Sequence, residues 1–492
     1  MSKSIIDKIT KKLIDIEYYG GYVIPAIVLM IIGTFINFKS VDSGETFGYC
    51  LIIFSIGFLV FSFIYLYLKN MITTKKIIAL IMISAFLVRL AYSLKHPYTA
   101  NQHDIETLEG SGHLTYIFGL ANYNRLPETN EWQLYNPPLH YFFASVVYKI
   151  GNALGFSVDR CFENVQLLST FWATATVTSA YKLLRLLNFK GLPLILSFSI
   201  IAFHPTMTIL GGSINNDVSS LFLITCALIY TVKWERFGNI NHCVVSGVFL
   251  GLAMMTKYSA FYVALAIFVY IMIKSITTNR QTMKCTLAYI VPVVILGFWY
   301  QVRNAVLFGQ NMVYLNEMGT NSLLHIPNSF ISRLFVLPKI ELNSIYCSVY
   351  SDTNIIHYLA KNSVFGEYSY SSDIVSALLL ILNYVLIIFS VIACVSILKN
   401  KKTFQRAALM PICITFFAEI LFYMIFNFLQ PYGCNMDFRI IPITIICGAV
   451  FIGSALRKIH ISSRNSKLHL TTYIILTVLI IAFCLLSIVL FM

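Results

Sequence analysis

Long apolar runs separated by short polar turns recur along almost the whole chain. Runs able to cross roughly 30 Å of hydrocarbon fall near 21–38, 48–68, 76–94, 164–187, 192–212, 217–233, 243–256, 258–274, 285–302, 374–398, 407–428, 438–456 and 470–491. The pattern predicts an all-α integral membrane protein of about thirteen transmembrane helices. The 243–274 stretch reads as a helix pair broken at Thr256-Lys257. One apolar segment, 138–156, has a different periodicity. On a helical wheel Tyr141, Ser145, Tyr148, Lys149 and Asn152 gather on one side, with Leu139, Phe142, Phe143, Val146, Val147, Ile150, Ala153 and Leu154 on the other. Such a two-faced helix lies in the membrane interface instead of crossing.

Charge assigns the sides. The 492 residues are 58% hydrophobic and only 11% charged, which excludes an ordinary soluble domain. The net charge of +14 is therefore read loop by loop against the positive-inside rule, and no basic-aromatic pattern for nucleic acid accompanies it. Lys3, Lys8, Lys11 and Lys12 precede the first apolar run and no clear cleavage site follows it, so the N-terminus is expected in the cytoplasm on an uncleaved span. If 138–156 lies flat, Lys182, Arg185, Lys190, Lys233, Arg236, Lys274, Arg280, Lys284, Lys399, Lys401, Lys402, Arg406, Arg457, Lys458, Arg464 and Lys467 all fall inside. The expected division is one membrane domain: three spans over 1–94, an outer loop with interfacial helices over 95–163, six spans over 164–302, an outer loop over 303–373, and four spans over 374–492. The eleven Cys are scattered through apolar runs without a CxxC and read as small buried hydrophobes.

The polar residues that remain collect on the outer side. The segment from Asn101 to Tyr141 is acidic, His-bearing and rich in Asn, Gly and Pro. Asp104 is either a helix N-cap or a general base at the water–lipid boundary. Glu106, Glu109 and His113 are spaced to share one face of a helix beginning near Ile105. His103 and His113 with the acids match no standard metal set, so no cofactor is expected to be required, a divalent metal being the alternative. Tyr135-Asn136-Pro137-Pro138 sets an extended approach to the interfacial helix, holding His140 and Tyr141 near Asp104. Asp217, in GGSINNDVSS, starts a span on the same side and is again an N-cap or a site acid. Lys257, Arg303 and Arg439 sit against apolar spans at outer ends, where Asp437, Glu367, lipid headgroups or a phosphate-bearing substrate would compensate them. Arg89, also near an outer end, is expected to snorkel to headgroups.

At these residues the chain resembles the GT-C membrane glycosyltransferases, especially the protein O-mannosyltransferase and aminoarabinose transferase branch. The resemblance rests on Asp104 with Glu106, Pro137-Pro138-Leu139-His140-Tyr141 and Asn216-Asp217. Weaker likenesses lie in GLAMMTKYS around Lys257, WYQVRN at Arg303, FGEYS at Glu367 and DFRIIPI at Asp437 and Arg439. It implies a GT-C fold, and transfer of a sugar from a polyprenyl-phosphate donor to an acceptor (protein, lipid or glycan) outside the cytoplasm; the Lys-, Ile- and Asn-rich usage, as of an AT-rich bacterium, points to the plasma membrane. Asp104, Glu106 and Asp217 would be the catalytic acids. His103, His113, Tyr116, Tyr135, His140, Asn216, Lys257, Arg303, Glu367, Asp437 and Arg439 would bind substrate. Ile105 separates two acids that are adjacent in many relatives, which leaves the role of Glu106 open. The rival readings are a transporter or lipid flippase, which would show repeats and midplane charges, and a surface-glycan polymerase or ligase.

Overall fold

A computed structural model describes residues 44–278, 282–311, 321–337, 344–399, 404–463 and 466–492. The 21–38 run, the N-terminal lysines, Arg280, Lys401, Lys402 and Arg464 lie outside the described residues. All regular structure within them is helical, with one isolated antiparallel bridge between His325 and Tyr432.

The apolar periodicity folds as expected. Helices α1 (Gly44–Leu68) and α2 (Thr74–Lys95) pair first. Two short helices follow, α3 (His113–Tyr123) and α4 (Leu139–Ala153), and then the long α5 (Val158–Leu186). A broken segment, α6 (Gly191–Phe203) and α7 (Pro205–Ile209), leads into α8 (Asp217–Phe237), α9 (Ile240–Met254), α10 (Ala260–Thr278), α11 (Thr282–Gly297) and α12 (Trp299–Phe308). After α13 (Phe330–Phe335) and α14 (Ile355–Phe365) come α15 (Asp373–Lys399), α16 (Phe404–Leu429), α17 (Ile443–Ser462) and α18 (Lys467–Val489). Among the described residues nine helices are long and apolar enough to cross a membrane, or ten if α6 and α7, bent by 51°, form one span. The protein is a multi-pass membrane protein.

Two departures from about thirteen spans have physical causes. Helix α5 covers the 164–187 run and has ample length, but Gln166, Thr170, Thr174, Lys182 and Arg185 make it more polar than the apolar spans. Helix α9 has only 15 residues, roughly 22 Å at 1.5 Å per residue. It packs closely on α11 because Gly247 has no side chain: a Cβ there would sit 2.2 Å from the Tyr289 carbonyl oxygen. The chain breaks between α9 and α10 at residues 255–259, where Thr256-Lys257 was expected to break it. The 438–456 run starts its helix later, at Ile443, because short 3₁₀ turns occupy Gly433–Met436 and Phe438–Ile440.

Helix α4 shows the expected two faces except at Lys149 and Asn152, which were placed on the polar side and are exposed. His140, Tyr141, Ala144, Ser145 and Tyr148 are buried against the protein, while Phe142, Phe143, Val146, Ile150 and Leu154 are exposed, Leu154 at 67%. An apolar face turned outward and a polar face turned inward suit a helix bedded in lipid. Eight of the eleven cysteines are buried, as small hydrophobes should be.

Candidate active site

The residues expected to carry chemistry converge at one end of the bundle, where the 101–112 loop meets the starts of α8 and α17 and the break between α9 and α10. The loop itself differs from expectation. No helix begins near Ile105; α3 starts at His113, with Gly112 as its N-cap residue. Asp104 and Glu106 both adopt left-handed backbone, φ 54° and 48°, a conformation that suits Asp better than Glu. The Asp104 and Ile105 carbonyls accept hydrogen bonds from the first N–H groups of α3, at 2.9 Å from His113 and 3.2 Å from Leu114. The backbone thus caps the helix, and the Asp104 carboxylate is left free of that duty. Glu106 turns back on its own loop, where it accepts from the Ser111 N–H at 2.9 Å and is exposed. Spacing alone put Glu106 with Glu109 and His113; the left-handed turns separate it from Asp104 and from the cluster.

Arg439 is the centre of that cluster. Its Nη2 donates to Asp104 Oδ2 at 2.9 Å and its Nε lies 3.0 Å from Asp437 Oδ2. Asp437 also caps the Phe438–Ile440 turn by accepting from the Arg439 N–H at 2.9 Å. Beyond Asp437, His103 faces Glu367 through Nδ1 at 3.5 Å and Asp437 through Nε2 at 4.0 Å. Glu367 follows Gly366, whose φ of 60° ends α14, and accepts from the Tyr358 hydroxyl at 3.3 Å. On the other flank Lys257 pairs with Asp217 and donates to the Arg439 carbonyl at 3.3 Å.

Asp217 is not the N-cap of α8. It is the first helical residue, its N–H bonded to Asn215 Oδ1 at 3.2 Å. Asn216 donates to the Thr256 carbonyl at 2.8 Å, and Leu139 donates its N–H to Met255 at 2.9 Å. These two bonds bring the Asn-Asp turn, the Lys257 turn and the Pro-Pro-led helix to one place. His140 bonds Ser219 Oγ at 3.1 Å through Nδ1, and its buried Nε2 has no hydrogen-bond partner. His113 bonds the Tyr141 hydroxyl at 2.8 Å through Nδ1.

Electrostatics follow from these neighbours. Burial alone would raise the Asp104 pKa, but the Arg439 charge outweighs it, and the carboxyl is held below its ordinary value. Burial and the Asp437 charge push Glu367 up, against the pull of His103 and Arg439. Burial lowers His113 to about 4 and His140 to about 3, so both are neutral near pH 7. Burial also opposes the charge on Arg439, yet Asp104, Asp437, Asp217 and Glu367 keep it firmly protonated.

The remaining expected residues form a separate aromatic patch. Tyr116 stacks on Tyr141 at 3.9 Å between ring centroids and shares a 3.1 Å hydrogen bond with the Tyr300 hydroxyl. Tyr135 stacks on Tyr258 at 5.8 Å. Arg303 is not among the cluster's cations. It donates to the Pro127 carbonyl at 2.7 Å and to Asn304, and it lies over the Tyr300 and Phe308 rings. Sequence reasoning missed Tyr358, which donates to Glu367, and the patch residues Tyr258 and Tyr300, which stand within the motifs at Lys257 and Arg303.

His103, Glu367 and Asp437 offer one ligand atom each within 4.8 Å of one another, with Asp437 Oδ2 also facing the Arg439 Nε at 3.0 Å. A His and two carboxylates form a donor set that fits a divalent cation.

Residues 135–300 match the model of the dolichyl-phosphate-mannose-protein mannosyltransferase family. That stretch includes His140, Asn216, Asp217 and Lys257 and stops short of both Asp104 and Arg439. No curated protein matches the chain in sequence. Among solved structures, the Archaeoglobus fulgidus oligosaccharyltransferase in complex with Zn and sulfate superposes with a TM-score of 0.44 at 13% identity, covering 84% of this chain and 53% of that one. The chain thus spans about half of that protein's length. ArnT from Cupriavidus metallidurans bound to undecaprenyl phosphate gives 0.39 at 11% identity, covering 80% of each chain. The family match over residues 135–300 bears out the resemblance read from the motifs: this stretch is similar to the dolichyl-phosphate-mannose-protein mannosyltransferases.

Proposed function

We propose that the protein transfers a sugar from a polyprenyl-phosphate donor to an acceptor hydroxyl on the non-cytosolic face of the plasma membrane, with Asp104 as general base. The observation that carries this reading is the position of Arg439, a guanidinium held between Asp104 and Asp437 beside the Lys257–Asp217 pair. Acids and cations alternate there within one compact group. An attacking hydroxyl needs a carboxylate within hydrogen-bond reach, and a leaving phosphate, already charged, needs cations more than a proton.

The chemistry follows from exchange of partners. In the structure Arg439 lowers the basicity of Asp104. A donor phosphate arriving beside Lys257 and Arg439 draws the guanidinium toward itself, and the Asp104 carboxylate regains strength as a base when the donor is seated. The acceptor oxygen then bonds to the anomeric carbon as its proton passes to Asp104, the carbon–oxygen bond to phosphate breaks, and Lys257 and Arg439 hold the released polyprenyl phosphate. Asp217 keeps Lys257 in place, and His103 and Glu367 fix Asp437. A divalent cation bound by His103, Glu367 and Asp437 would supply further charge neutralisation of the phosphate.

The non-cytosolic assignment rests on the basic loops at the opposite end of the bundle. The exposed apolar face of α4 supports a site at lipid level, where a polyprenyl tail stays in the membrane while its phosphosugar reaches the cluster. The test is turnover of a panel of sugar-labelled polyprenyl phosphates by the purified protein. Release or transfer of label from one donor is expected; no turnover of any donor, with and without divalent cations, contradicts the reading.

A further inference from the structure

Arg89 lies inside α2, a membrane span, and is 1% exposed. It does not reach headgroups as its place in the sequence suggested. No carboxylate forms an ion pair with it among the described residues. Its guanidinium instead donates to two backbone carbonyls, Ala202 at 2.6 Å through Nη2 and Met207 at 3.3 Å through Nε. Those carbonyls flank the 51° break between α6 and α7. Ala202 belongs to the last turn of α6, whose carbonyls have no partner further along the helix, and Pro205 has no N–H to offer. A break in a span is tolerated where side chains satisfy the freed backbone groups, and Arg89 does so on both sides of this one.

The same segment is held by three more side chains. Gln166 donates to the Gly212 carbonyl at 2.7 Å, Thr170 to Gly211 at 2.8 Å, and Gln102 both donates to Gly212 at 3.1 Å and accepts from the Ile214 N–H at 2.7 Å. Gly211 packs on the Arg89 stem, where a Cβ would lie 3.3 Å from Arg89 Cδ. Three residues past this clamped stretch stands Asp217, the partner of Lys257.

Building on the proposed glycosyl transfer, we infer that Arg89 is a positioning residue for that reaction: it fixes the broken α6–α7 segment so that the Asn216-Asp217 turn holds Lys257 where the donor phosphate binds. It touches no substrate. Its effect passes through the backbone from Ala202 to Asp217.

Two readouts test this in lipid nanodiscs, with Arg89→Met and, in case that variant does not fold, Arg89→Lys, which keeps a charge but lacks the two-pronged donor. Hydrogen exchange over residues 202–217 is expected to rise in both variants while distant spans such as α15 stay protected; unchanged exchange overturns the clamp. In the transfer assay kcat is expected to fall about a hundredfold for Arg89→Met with donor KM within about threefold, as for a misplaced catalytic geometry. Added to Asp217→Asn, the Arg89 substitution should cost less than about threefold more. Additive losses in that double variant overturn the positioning role. A wild type that turns over no donor removes the glycosyl-transfer reading, and with it this role, while the exchange result alone decides the clamp.

Discussion

At the end of the bundle that carries Asp104, Lys257 and Arg439 are each paired with a carboxylate, and Arg439 is shared between two. At the opposite end, cations rest on backbone and rings. Arg185 donates to the Phe189 carbonyl at 3.3 Å, Arg236 to the Leu186 carbonyl, and Lys233 lies over the Tyr230 ring at 4.7 Å. That end also has an ion pair, Lys274–Glu235 at 2.9 Å, with Tyr270 donating to the same carboxylate at 2.7 Å. The residue types are alike, but their partners differ. Cations that orient a chain in the membrane need only lie on the right side. Cations proposed to meet a charged substrate are instead held by acids they can exchange for it.

The widest separation between the two ends is expected from Arg439→Met. It leaves Asp104 and Asp437 without their shared cation, which should reduce transfer about a thousandfold and destabilise the fold by about 3 kcal/mol; steady-state kinetics and thermal unfolding in nanodiscs measure both. Lys257→Gln removes one phosphate cation and strands Asp217, with about a hundredfold loss expected in kcat and less in Lys257→Arg. The pH profile sharpens the comparison further. As pH falls, Glu367, whose folded value is raised above 4.5, takes its proton before Asp104, whose value is held below 3.8. The acid limb of transfer should therefore move to lower pH in Glu367→Gln, whereas an unmoved limb would show that Glu367 does not set it. Stability linked to Asp104 has the opposite sense to that of Glu367. It is present above the unfolded carboxylate value and is lost as pH falls through the lower folded one. Smallest of all, Lys274→Met at the other end should leave transfer within about twofold, since it alters only a structural pair.

Much of this contrast was legible in the chain. Asp104 stood out in the polar outer loop, Asp217 at the start of a span, and Lys257 and Arg439 as cations set against apolar spans with Asp437 and Glu367 to compensate them, while the amphipathic period of 138–156 indicated the two faces of α4. Their partners were not legible, because 335 positions separate Arg439 from Asp104 and periodicity reports a face without naming what it meets. The 105–112 loop was read as helix because nothing in Asp104 or Glu106 announces left-handed backbone, which glycine usually signals. Arg303 and Arg89 looked like cations awaiting an anion, yet carbonyls serve both, a solution that depends on where the chain breaks.

The central claim is that Asp104 alone of the two neighbouring acids acts as base, since Arg439 and the cluster face it while Glu106 closes an exposed turn. The most direct measurement is kcat for Asp104→Asn and Glu106→Gln side by side, on whichever polyprenyl-phosphate sugar the wild type turns over, with both variants shown to be folded. A loss of about a thousandfold or more in Asp104→Asn, with Glu106→Gln within about threefold of wild type, is the predicted result. An active Asp104→Asn, or a Glu106→Gln as impaired as its neighbour, would contradict it.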